Sequence, residues 1–259
     1  TKIYLDLRLN ILNDYVDYFV IVEGNKTWQN NPKKLRFDID KFSKFKKKII
    51  YIPVEDMPGG NDPYLRENFQ RNSISRGLGL AAKDDLIIIS DLDEIPNPKN
   101  IIKFKKNMKY AVFKQSHYYY KINLQSTFNP HWYGSRICVK NFLKSPQWLR
   151  NLKFKKRPFW RIDKIRLNNI IENGGWHFCN LKNAEQLLYK YKNLCETNDP
   201  YHFKEKIDEK FLDLESIKEK IVLGEDIIGR NEKYTKKKLD NTFPTYIYNN
   251  KDKYIDWIV

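Results

Sequence analysis

Cysteine, glycine and long apolar runs are all scarce in this chain of 259 residues. The three cysteines, Cys138, Cys179 and Cys195, are widely spaced and form no CxxC pair. An odd, scattered set excludes a disulfide framework and gives no zinc-site spacing. A reducing compartment is the simplest reading. The glycines form no phosphate-cradling loop that ends in Lys, which sets aside phosphoryl transfer of the P-loop kind. No apolar run reaches the ~18 residues of a membrane span, and no signal peptide is visible. The expected location is the cytoplasm, including its membrane surface, or the Golgi lumen if the chain is a fragment of a eukaryotic protein. Thr1 opens on an amphipathic segment already under way, so upstream residues are left open. Acid is in the minority too: 32 Asp and Glu against 48 Lys and Arg leave a formal charge of +16. That balance suits anionic small substrates, anionic membrane surfaces or nucleic acid. No nucleic-acid motif is present, so nucleic acid is not expected as a partner. Much of the excess is Lys in short runs such as Lys46-Lys47-Lys48, as in chains from AT-rich genomes.

What acid there is gathers beside one short strand. Leu86-Ile87-Ile88-Ile89 reads as a buried strand, and Asp91, Asp93 and Glu94 follow it at once. Pro96 and Pro98 forbid its continuation. Residues two apart in extended chain point the same way, so Asp91 and Asp93 form a pair of carboxylates. Such a pair repels itself unless a cation lies between. Hard oxygen ligands suit Mn²⁺ or Mg²⁺, ions that also hold substrate phosphates. The plainer alternative is a solvated acidic turn that caps the next helix.

Around this stretch the pattern is α/β. Residues 3–13 read as a helix and Tyr18–Val22 as a buried strand ending in Glu23-Gly24-Asn25. Residues 49–52 form a second strand. Asp62-Pro63 opens a helix that is expected to run to Ala82 and to be covered on two faces. It carries Arg66, Arg71 and Asn72 towards the acidic turn, where guanidinium groups suit phosphate or carboxylate. Strand–helix alternation up to residue 90 predicts a mostly parallel sheet. Ligands then bind beyond the carboxyl ends of its strands, which makes Glu23, Asn25 and Asp91 candidates to face one. Past Pro98 the texture turns aromatic and partly antiparallel. Tyr119, Tyr120 and Trp132 stand in this aromatic-lined region, and sugars are among the ligands that stack on such rings. Residues 141–168 are Lys/Arg-rich with Trp148, Phe154, Phe159 and Trp160, and no element is evident there. Gly174-Gly175-Trp176-His177-Phe178 is the second conspicuous motif. Its glycines permit close backbone approach, and His177 is either a core histidine or a metal ligand. Asn183 caps a helix from Ala184 to Asn193, a Lys/Glu-rich helix covers 215–221, and Tyr254 and Trp257 dock a last short helix.

Taken in order, five stretches resemble glycosyltransferase family 17. They are Leu5-Asp6-Leu7-Arg8-Leu9-Asn10, Asp17–Glu23, Arg66-Glu67-Asn68, Asp91-Leu92-Asp93-Glu94-Ile95-Pro96 and Gly175-Trp176-His177. Phe243-Pro244-Thr245-Tyr246 fits a family-like ending. The resemblance is strong over 5–25, 60–98 and 172–192 and thin over 125–170. It implies one GT-A-like domain over 1–259, with a nucleotide-sugar half at 1–98 and an acceptor half at 99–259. It further implies inverting transfer from a UDP-sugar, with N-acetylglucosamine as the sugar. Mn²⁺ or Mg²⁺ would sit on Asp91 and Asp93, joined by His177. Glu94 and Glu172 are the candidates for the general base by position. A glycan, a polysaccharide or a lipid-linked sugar is the expected acceptor, walled by Tyr119, Tyr120 and Trp132, with Glu23, Asn25, Arg66, Arg71, Asn72 and Asp91 on the donor side. The competing reading is a non-catalytic carbohydrate- or polyanion-binding module on the same fold.

Overall fold

The computed structural model describes residues 2–154, 169–197, 207, 212–228 and 232–259. Helix α1 (Lys2–Leu12) comes first and lies at the centre of the largest core. Its apolar residues alternate like a strand, yet it is a helix. It can be one because it is covered on several sides: Tyr4, Leu5, Leu7, Leu9, Ile11 and Leu12 are all buried. Strands β1 (Phe19–Gly24) and β2 (Ile49–Val54) pack against it as a parallel pair, with Phe19 opposite Ile49 and Gly24 opposite Val54. Asp62 then caps α2 (Pro63–Asn72) by accepting from the Tyr64 amide.

Helix α2 is shorter than expected. It ends at Asn72, and a 3₁₀ segment, Ser73–Gly77, follows instead of further α-turns. The Ser73 hydroxyl donates back to the Phe69 carbonyl, a bond that competes with the helix ladder. Gly77 lies so close to β1 that a Cβ there would meet Val20 Cγ1 at 2.5 Å.

Strand β3 (Leu86–Ile89) carries the expected apolar run, but Leu86 is exposed rather than buried. Its described partner is β8 (Arg136–Val139), antiparallel, with Ile89 opposite Arg136. The expectation of a mostly parallel sheet is thereby corrected to a mixed α/β fold. The alternation of elements is real, but β3 turns to the later antiparallel strands for its hydrogen bonds.

The larger sheet is built on β5 (Tyr110–Tyr119). One edge of β5 pairs in parallel with β9 (Ile170–Cys179). Its other pairings, with β8, β7 (His131–Trp132) and β6 (Leu124–Ser126), are antiparallel. The short β4 (Glu94–Pro96) lies antiparallel on β9, and β10 (Tyr234–Lys236) extends β6. Helices α3 (Pro98–Ile101) and α4 (Pro146–Asn151) are single-turn pieces opened by Pro after an Asn or Ser cap. Helices α5 (Ala184–Lys192) and α6 (Leu214–Leu223) cover a second core with Tyr119, Tyr120 and Tyr234. The tail contributes α7 (Thr245–Asn249) and a 3₁₀ segment, Lys251–Trp257, which packs Tyr254 against α1 through Asp6. The Phe159 and Trp160 part of the basic segment lies outside the described residues. Among the described residues, no helix is long and apolar enough to cross a membrane.

Candidate active site

The turn Ser90–Glu94 leaves β3 and enters β4, and arginines from three elements close on it. From α1, Arg8 donates to the Glu94 carbonyl at 2.6 Å and to Ser90 Oγ at 2.7 Å. From α2, Arg71 donates to Asp91 Oδ1 at 3.1 Å and to Glu67 Oε1 at 2.8 Å. From α4, Arg150 reaches Asp91 Oδ2 at 2.8 Å and both oxygens of Glu94 at 2.5 and 2.7 Å. The acids are thus compensated by cations from sequence positions far apart. That allows Glu94 to be buried beside Asp91, whose own side chain stays partly exposed.

Glu94 is 1% exposed, and its oxygens also accept from Trp132 Nε1 at 2.7 Å and from the Asp91 amide at 3.2 Å. Burial, the largest single influence, pushes its carboxyl up, but the charge and hydrogen bond of Arg150, with His177 and Trp132, together outweigh it and hold the group at about 2. A carboxylate so held is a weak proton acceptor. Glu94 ties the acidic turn, α4 and Trp132 together. Glu172 does not approach this turn. It is exposed on β9, five residues from His177, and pairs with Lys114 at 3.0 Å.

Asp93 faces the other way. Its Oδ1 stands 3.6 Å from His177 Nε2. Antiparallel pairing of β4 with β9 sets Glu94 opposite His177, which brings the histidine back from the far half of the chain. Gly175 makes this possible. Its φ is +129°, and a Cβ there would lie 2.1 Å from the Ile95 carbonyl oxygen. Burial pushes the Asp93 carboxyl up, while His177 and then Lys190 pull it below the ordinary aspartate value. Lys182 stands in the same field, lowered by burial and raised by Asp93.

The donor-side candidates divide. Gln70 and Arg71 are neighbours on α2; Gln70 accepts from the Gly24 amide while Arg71 holds Asp91. The end of β1 and the acidic turn thus flank one helix. Asn72 accepts from the Gln147 amide and fixes α4. Glu23 does not offer its carboxylate as expected. It is spent on the Arg36 and Phe37 amides, the Tyr51 hydroxyl and Lys33, pinning the loop beyond β1. Arg66 is buried and donates to the Trp28 and Gly60 carbonyls, so it shapes loops rather than facing phosphate. Asn25 keeps a feature of a binding residue: its Nδ2 donates to Glu55, while its Oδ1 is buried with no hydrogen-bond partner.

The aromatic candidates divide as well. Tyr119 and Tyr120 belong to the second core, stacked on or against Tyr234, and the Tyr120 hydroxyl accepts from the Ile227 amide. They are corrected to core residues. Tyr120 stands just past the end of β5 with φ +60°, and its ring joins that of Tyr119 in one and the same cluster. Trp132 remains, 38% exposed, its ring 5.0 Å from that of His177.

A family model for glycosyltransferase family 17 matches residues 3–248. The chain belongs to glycosyltransferase family 17. Two curated relatives of this family-17 chain, from Homo sapiens and Rattus norvegicus, are each 33% identical to it over 112 residues. Both are named beta-1,4-mannosyl-glycoprotein 4-beta-N-acetylglucosaminyltransferase. The matched stretch is 39% of this chain and 21% of each relative, so the chain spans only a minor part of their length. No solved structure matches.

Sequence reasoning missed Arg8 and Arg150 as parts of the family-17 site. Arg8 had a signal, since it is a cation in the middle of a largely apolar helix. Arg150 had none, because it lies within a run of basic residues that reads as surface.

Proposed function

We propose that this chain transfers N-acetylglucosamine from its UDP derivative to a glycan, polysaccharide or lipid-linked sugar, with inversion, on a GT-A-like frame. The observation that carries the reading is the pairing of Asp93 with His177 at 3.6 Å beside Asp91. That gap is too long for a hydrogen bond. It suits two ligands of one ion: atoms about 2.1–2.2 Å from a cation and a little over a right angle apart lie roughly 3–3.5 Å from each other. Asp93, His177 and Asp91 would hold Mn²⁺ or Mg²⁺, Asp91 through lone pairs left over after Arg71 and Arg150 have donated. The ion, when bound, stabilises charge growing on the leaving diphosphate as a Lewis acid.

The protein's own groups do the rest. Lys182 and Lys190 lend positive potential on the Asp93 side, and Arg71 and Arg150 do so on the Asp91 side. Asn25 Oδ1 supplies an acceptor for a base N–H at the end of β1. The Trp132 face offers a stacking surface beside the reacting sugar. A screen of UDP- and GDP-sugars with and without Mn²⁺ tests the reading. The expected result is Mn²⁺-dependent consumption of the UDP-N-acetylglucosamine donor. No consumption of any donor, or equal rates in chelator, would overturn it.

A further inference from the structure

We propose that His117, His177 and Cys179 form a second cation site, one for a borderline or soft metal such as Zn²⁺. Strand register creates it. In the parallel pair β5–β9, His117 stands opposite His177 and Tyr119 opposite Cys179. Cys179 is two residues from His177, so the period of two puts both on the face that His117 shares. The candidate ligand atoms of the three residues all lie within 4.8 Å of one another. The cysteine spacing gave no hint of this, because the partners come from another strand.

Two observations point to a ligand here. His177 is 7% exposed, and its Nδ1, the nitrogen turned away from Asp93, is buried with no hydrogen-bond partner. A buried nitrogen left in that state costs free energy unless a cation or donor meets it. His117, 3% exposed, has Nδ1 3.0 Å from the Asn129 carbonyl oxygen. A carbonyl there accepts the Nδ1 proton and makes Nε2 the basic nitrogen, which is the outer-shell arrangement of metal-bound histidines. Imidazole and thiolate together select zinc-like ions over Mg²⁺. The rings lie stacked, with centroids 4.7 Å apart at 6°. Ligand atoms on tetrahedral zinc lie about 3.3–3.6 Å apart. Closing therefore asks about 1 Å of movement and a turn about χ2, a soft torsion for histidine. On binding, the Cys179 thiol proton leaves to solvent as the metal–sulfur bond forms. Three protein ligands leave one position open, as in exchangeable rather than structural sites.

The site shares its imidazole with the Asp93 side. Neutral imidazole has one lone pair, so His177 serves one cation at a time. Zinc bound through Nδ1 would take the ring from the ion on Asp93 and stop turnover. This consequence rests on the proposed transfer reaction; the site itself does not.

Co²⁺ titration of the purified chain tests the site. One equivalent should give the near-ultraviolet thiolate-to-cobalt charge-transfer band, and Zn²⁺ should remove it. Cys179→Ser should lose the band. His117→Gln should weaken Co²⁺ binding at least about tenfold, the loss typical of even an outer-shell partner. Asp93→Asn should keep the band. Thermal melts confirm that each variant is folded. No band in the wild-type chain, or a band retained in folded Cys179→Ser, overturns the proposal. Zinc inhibition of sugar transfer should be relieved in Cys179→Ser. If no variant transfers sugar while the band behaves as stated, the transfer reading fails and the metal site stands.

Discussion

Asp93 and its neighbours show how much depends on single atoms. Asn in place of Asp93 keeps size and hydrogen-bonding shape but gives up the charge that a cation needs. Asp93→Asn is expected to cut Mn²⁺-dependent donor turnover by more than about a hundredfold, the scale of losing an electrostatic group at a reacting centre. Its melting temperature should stay close to wild type, and wild-type-like turnover at saturating Mn²⁺ would sink the metal assignment. Gly134 is the second sensitive point. A Cβ there would lie 2.0 Å from Glu94 Oε1 and 2.3 Å from Trp132 Nε1. Neither atom can retreat cheaply, since each is the other's hydrogen-bond partner and Glu94 is also held by Arg150. Gly134→Ala should cost about 1–3 kcal/mol by overpacking. Urea unfolding read by tryptophan fluorescence would check it; an unchanged midpoint would mean that the Glu94–Trp132 contact is soft.

At the scale of elements, β9 decides whether a site exists. It lies between β4 and β5 and delivers His177 to both. The delivery depends on Gly175, where backbone of two strands comes within the space of one methyl group. Gly175→Ala meets the backbone of Ile95, Pro96 and Asn97 and adopts φ +129°, which side-chain-bearing residues rarely take. The backbone term alone is worth about 1–3 kcal/mol. Gly175→Ala should therefore lower stability by at least that amount and also part Asp93 from His177. Calorimetry together with Mn²⁺ affinity would read the two effects. Loss of stability with unchanged Mn²⁺ affinity would show that the register of β4 on β9 does not set the metal geometry.

At the scale of the molecule, the buried acid–arginine network makes folding depend on pH. Glu94 is held at about 2 in the folded protein against 4.5 as its ordinary value, because Arg150, His177 and Trp132 together outweigh burial. A depressed folded value means that the unfolded chain takes up the proton first as pH falls. The stability Glu94 supplies is then complete above about pH 4.5 and is lost as pH falls towards 2. Glu94→Gln leaves Arg150 short of a buried partner, so at neutral pH it should cost about 3–5 kcal/mol. It should also flatten the part of the acid slope between pH 4.5 and 2. Urea midpoints across that range would measure both, and an unchanged slope would assign acid sensitivity to other carboxylates.

The residues that make several elements were legible in the chain itself. The apolar runs of β1, β2 and β3, the Asp62-Pro63 start of α2 and the Asn183 cap of α5 act over a few neighbours, and local chemistry is written locally. The acidic turn could be found for the same reason, since a buried run that stops in Asp-x-Asp is unusual on its face. What the sequence could not decide was partnership. Strand β3 could have paired with β1 in parallel but pairs with β8, a choice made by hydrogen-bond competition among strands far apart in the sequence. Tyr120 looked like a wall of a site and is core, because α5, α6 and β10, far along the chain, cover it. Arg8, Arg71 and Arg150 converge on one turn only after three helices pack. His177 meets Asp93, His117 and Cys179 only through the register of β9. Charge compensation and ligand geometry act through space, so tertiary structure alone settles which cations and which nitrogens share a site.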